Sequence, residues 1–95
     1  MLEITSNSHF YVNKNISLKN ILNQTYFMLD SSTGMQYNLT EMEYDILKLI
    51  SNGKNIKEIN NDIIENYDVD TDESMEDLMD YIKSLCKENI ITVNQ

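Results

Sequence analysis

The chain has 95 residues, enough for one hydrophobic core and no more, and a domain of that size buries only about 60 to 65% of its unfolded surface. Seven lysines and no arginine stand against sixteen Asp and Glu, a formal net charge of -9 that repels nucleic acid and anionic membrane. The single cysteine excludes an internal disulfide, and no stretch approaches a signal peptide or the roughly 18 apolar residues of a bilayer span, so a cytoplasmic protein is expected.

In chain order, a first strand is expected at Ser8 to Val12 (SHFYV), whereas Asn15 to Asn23 (NISLKNILN) mixes strand and helix periods and is taken as a connector. Thr25 to Asp30 (TYFMLD) and Met35 to Leu39 (MQYNL) are two β-compatible runs. Ser31-Ser32-Thr33-Gly34 between them makes a hairpin, with Gly where positive φ is needed. Apolar spacing turns helical after Asn38. Thr40 followed by Glu43 is a reciprocal capping pair that opens a helix from about Glu41 to Ser51, with Met42, Ile46, Leu49 and Ile50 on one face and Asn52-Gly53 as its stop. Asn55 and Glu58 repeat that start for a helix running to about Tyr67, striped by Ile56, Ile59, Ile63 and Tyr67. After the polar break Asp68-Val69-Asp70-Thr71, residues Met75, Leu78, Ile82 and Leu85 line a third helix that ends near Glu88-Asn89, ahead of Ile90-Ile91. The expected fold is α+β: a three-stranded antiparallel sheet followed by three helices, as one domain over 1–95 with its core at about 8–91.

The side chains that carry chemistry are few. Asp68, Asp70 and Asp72 alternate like the opening of a calcium loop. Counting from Asp68, however, the places that need Gly and a bidentate Glu hold Glu73 and Met79, so these acids are read as a helix cap. His9 is the one histidine and Cys86 the one thiol, which leaves no zinc site of ordinary composition and no nucleophile with its base. Cys86 lies on an apolar helix face as a small hydrophobic filler. With two glycines nineteen residues apart, Gly34 and Gly53, neither phosphate-binding glycine pattern exists. No catalytic residue, metal or cofactor is expected. From Asp62 to Asp80 there are nine acidic residues and no lysine, either a solvated face or a surface selecting a ligand that carries Lys or Arg.

The hairpin YFMLDSSTGMQYNLT, then YDILKLISNGKNIKEI, then MEDLMDYIKSLCKENII resembles the PqqD-like family of peptide-recognition domains. The resemblance rests on the turn before Asn38-Leu39, the helix end at Asn52-Gly53-Lys54, the Ile56 and Ile59 pair, and Asp77-Leu78, Tyr81-Ile82 and Leu85 before Ile90. Asn52 and Asn89 stand where an acidic residue and a glycine are more usual, and the beginning is extended and Asn-rich.

The resemblance implies a sheet and helices arranged in winged helix-turn-helix style, serving as the recognition element for ribosomally made precursor peptides. A precursor's leader segment would add as a strand beside the third strand, in the groove next to the third helix. Met35, Gln36, Tyr37 and Asn38 would supply the edge, and Asp77, Leu78, Tyr81, Ser84 and Leu85 the helix wall. Tyr81 and Leu85 would take apolar leader residues, and Asp77 a basic or hydrogen-bonding one. The further partner would be a modifying enzyme such as a radical-SAM maturase, a leader peptidase or a cyclase, with neither nucleic acid nor membrane bound. Two alternatives stand beside it, a winged-helix DNA-binding regulator, which the charge opposes, and a structural subunit of a maturation complex.

Overall fold

The computed structural model describes residues 4–94, in the order β1 (His9–Val12), β2 (Ile16–Ile21), β3 (Thr25–Asp30), β4 (Met35–Leu39), α1 (Glu41–Ser51), α2 (Ile56–Asn66), α3 (Thr71–Lys87) and β5 (Ile91–Asn94). An antiparallel sheet of order β2-β3-β4 and three helices make an α+β fold.

The sheet is not built from the strands expected. The segment taken as a connector, Asn15 to Asn23, holds β2, which pairs with β3 from Ile16↔Asp30 to Ile21↔Thr25. The expected first strand, β1, leaves that sheet and pairs with β5 from His9↔Asn94 to Val12↔Ile91. Both departures have a physical cause. In β2 only Ile16 and Leu18 alternate toward the core, while Ile21 points to the opposite face and runs into Leu22 at a tight turn, which scrambles the period. Strand β5 spans four residues, and its pairing depends on a partner about eighty positions away that no local pattern reveals.

Each helix is closed by the groups its sequence supplies. The Thr40 amide donates to Glu43 Oε1 (2.8 Å) and the Glu43 amide to Thr40 Oγ1 (3.1 Å). Asn55 and Glu58 make the same exchange at 2.9 and 2.8 Å. Asp70 caps α3 by accepting from the Asp72 amide (2.9 Å), as its reading as a cap requires. At the far ends, Gly53 (φ 84°) and Asn89 (φ 62°) take left-handed backbone, and the Lys54 and Ile90 amides reach back to the Leu49 and Leu85 carbonyls. Asn89 thus fills a position whose geometry favours glycine.

The inner face of the sheet contributes Ile16 and Met28 to the core, β1 contributes Phe10, and the helices contribute Ile46, Leu47, Ile50, Ile56, Ile59, Ile63, Leu78, Ile82 and Leu85. Between α2 and α3 the Ser74 hydroxyl donates to buried Asn60 Oδ1 (2.7 Å), so the one polar pair in that interface is satisfied. The β1–β5 ribbon is clasped by Asn13, whose amide side chain donates to the Asn89 carbonyl and accepts from the Thr92 hydroxyl. His9 Nδ1 donates to the Gly53 carbonyl (2.9 Å), tying the ribbon to the α1–α2 turn.

Candidate peptide-binding groove

Strand β4 lies at an edge of its sheet, with β3 on one side and no strand on the other among the described residues. Its register sets the direction of every side chain. Met35, Tyr37 and Leu39 stand opposite Asp30, Met28 and Tyr26 and share the inner face with buried Met28, while Gln36 and Asn38 point to the outer face. An inner-face residue is ordinarily covered. Met35 and Tyr37 are 51% and 40% exposed, so the helical layer stops short of β4 and leaves an apolar ledge beside unpaired backbone.

Beyond the end of β4 the chain turns into α1, and there a cavity of about 390 Å³ opens between helices. Met42, Glu43 and Ile46 of α1 form one wall. Glu73, Asp77, Leu78 and Tyr81 of α3 form the other, and Val69 and Asp70 close the end. The floor is apolar: Leu78 and Ile46 are buried and belong to the core. The rim is anionic, with Asp70, Glu73 and Asp77 exposed and no lysine among the lining residues. Glu43 is pinned by its capping bond to Thr40. Burial first, and then the negative charges of Glu43 and Glu88, raise the Tyr81 phenol well above its ordinary pKa and keep it a neutral hydrogen-bonding group.

The residues named from sequence fall into three places. Asp77, Leu78 and Tyr81 meet at the cavity. Met35 and Tyr37 form the ledge, with Gln36 and Asn38 on the opposite face of the same strand. Ser84 is exposed and spends its hydroxyl on the Tyr81 carbonyl (2.7 Å), and Leu85, 3% exposed, is a core side chain. The α1 wall and the Val69-Asp70 corner are not among the site residues expected from the sequence, where the groove is a strand facing a helix. Met42 and Glu43 directly after the edge strand, and a lone valine inside the acidic break at Asp68-Val69-Asp70, were the available signals.

The exposed surface of α3 opposes the DNA-binding alternative, because Asp72, Glu73, Glu76, Asp77 and Asp80 are all exposed on it. Among the described residues no group of three or more His, Cys, Asp or Glu is placed to hold a metal ion, and no helix is long and apolar enough to cross a membrane. Cys86 is partly buried against the core, which pushes its thiol pKa up.

The family described as Coenzyme PQQ synthesis protein D (PqqD) matches residues 25–91, from the first residue of β3 to the first residue of β5. Two solved structures share the fold. A lasso peptide synthetase B1 complexed with the leader peptide superposes with a TM-score of 0.76 at 17% identity, over 88% of this chain and 98% of that one. TbiB1 in complex with the TbiA(beta) leader peptide gives 0.74 at 23% identity, over 85% of this chain and 93% of that one. No curated protein matches the chain.

Proposed function

The chain belongs to the PqqD family, and from that premise we propose that it binds the leader segment of a ribosomally synthesised precursor peptide by strand addition to β4. One observation carries the reading: among the described residues β4 is an unpaired edge, and its inward-directed Met35 and Tyr37 are uncovered. An added strand would gain backbone hydrogen bonds from the edge. Its inward side chains would cover the ledge, and at the α1 end one of them would enter the cavity over Leu78 and Tyr81, with Asp77 beside a basic or hydrogen-bonding residue. The fold is that of two proteins solved with leader peptides, which supports leader binding here.

On this reading the protein is an adaptor of one domain and performs no chemistry. It would hold the leader while a separate modifying enzyme, of the maturase, peptidase or cyclase kind, acts on the remainder of the precursor, and it would raise the local substrate concentration. The test is titration of a fluorescently labelled leader from a short candidate precursor found in the same gene neighbourhood. Saturable binding at or below about 10 μM, about -7 kcal/mol, is expected. Absence of binding at several times that concentration would contradict the proposal.

A further inference from the structure

The outer face of the β2-β3-β4 sheet carries none of the acidic residues that crowd the helices. Alternation and register place Ser17, Lys19 and Ile21 of β2 on it, with Thr25, Phe27 and Leu29 of β3 and Gln36 and Asn38 of β4. Lys19 is the only charged residue in that set, although the chain as a whole carries -9. Asp30, the one carboxylate within these strands, belongs to the inner face opposite Ile16 and Met35.

At the end of this face the turn between β2 and β3 presents Ile21, 51% exposed, and Leu22, 83% exposed. Leu22 and Asn23 both hold left-handed backbone, φ 54° and 55°. Asn23 suits that conformation, and its amide is held by Asn20 Oδ1 (3.0 Å). Leucine does not suit it. A γ-branched side chain at positive φ costs conformational energy, and at this exposure Leu22 recovers none of it by packing within the chain. The apolar group sits where it is costly to keep and open to contact from outside.

We infer that this outer face, with the Ile21-Leu22 turn at its end, is the docking surface for the modifying enzyme. The enzyme patch that fits it is apolar at its centre and carries a carboxylate for Lys19. Charge complementarity favours that occupant: the face presents one lysine and no carboxylate, so a partner patch carrying a carboxylate is repelled less there than at the acidic surface of α3. Its position favours it as well. The ledge of Met35 and Tyr37 lies on the opposite side of the sheet, so leader and enzyme can be held together, as an adaptor requires. The inference rests on the adaptor reading above, and its test separates the two.

The variants are Ile21→Thr/Leu22→Gly, which keeps strand propensity and relieves the turn, and Lys19→Glu, which reverses the charge. Each is measured by biolayer interferometry against the labelled leader and, separately, against a purified candidate maturase, peptidase or cyclase from the same gene neighbourhood. Leader affinity is expected to stay within twofold of the unaltered chain. Enzyme affinity is expected to fall at least tenfold in the double variant and severalfold in Lys19→Glu, with no loss of melting temperature in the double variant. Unchanged enzyme affinity in both variants overturns the inference, as does an unaltered chain that binds leader and not the enzyme. Loss of a self-associated dimer in the double variant by analytical ultracentrifugation, with enzyme binding intact, also overturns it and assigns the face to a second copy of the chain.

Discussion

Met28 and Tyr37 stand opposite one another across β3 and β4 and point to the same side of the sheet, yet Met28 is 4% exposed and Tyr37 40%. The cover provided by the helices ends between these two strands. A strand laid against β4 would complete that cover, and its binding energy would come from the inner face.

That geometry predicts an alternation along β4. Tyr37→Ala removes the larger side chain of the ledge and should weaken leader binding about tenfold, or about 1.4 kcal/mol. Gln36→Ala, one residue away on the outer face, should leave it within twofold. Fluorescence anisotropy with labelled leader measures both, and equal losses would mean that the strand edge is not read from its inner side.

The charged rim should matter less than the ledge. Asp77 and Glu73 are exposed, and exposed ion pairs contribute only about 0.2–1 kcal/mol. Asp77→Asn and Glu73→Gln should each weaken binding of a leader carrying Lys or Arg by about two- to fivefold. The effect should enter mainly through the association rate and shrink as salt is raised, which stopped-flow at two ionic strengths would show.

A stability prediction follows from the buried pair between α2 and α3. Ser74→Ala removes the donor to Asn60 Oδ1 and leaves that amide buried without a partner, at a cost of about 1–3 kcal/mol. Adding Asn60→Leu should recover part of the loss, because removing both polar groups costs less than orphaning one. Urea denaturation of the single and double variants measures it.

Acid should loosen the β3–β4 loop specifically. Asp30 Oδ1 accepts from the Ser32 hydroxyl (2.6 Å), from Asn15 Nδ2 (2.8 Å) and from the Ser32 amide (2.9 Å), and these bonds lower its pKa, the Ser32 hydroxyl most. A carboxyl whose folded pKa is depressed stabilises the fold above its unfolded value, about 3.9, and that contribution is lost as pH falls through the folded value. Asp30→Asn should therefore melt below the unaltered chain at pH 7, with the gap closing as pH falls below the ordinary carboxylate range. Melting curves across that range would show the convergence.

Much of this architecture is legible in the residues. Both capping boxes, the span Glu41 to Ser51, the hairpin with Gly34 in left-handed backbone and the cap role of Asp70 follow from local chemistry that acts within four positions along the chain. What escaped was set by distant partners. Strand β2 carries its apolar residues on both faces, because Ile21 and Leu22 serve the turn and the outer surface, and β5 exists through its pairing with β1. The cavity was half legible for the same reason. Asp77, Leu78 and Tyr81 lie on one helical stripe, whereas Met42, Glu43 and Val69 reach it only through the packing of α1 and the α2–α3 connection against α3.

The central claim is strand addition at β4 rather than at β2, the other edge of the same sheet. Amide hydrogen exchange followed by NMR, with and without saturating leader peptide, tests it residue by residue. The predicted result is slowed exchange at alternate amides between Met35 and Leu39, where the outward N–H groups become bonded, with the amides of Ile16 to Ile21 unchanged. Protection appearing along Ile16 to Ile21 instead, or saturable binding with no change in β4, would contradict it.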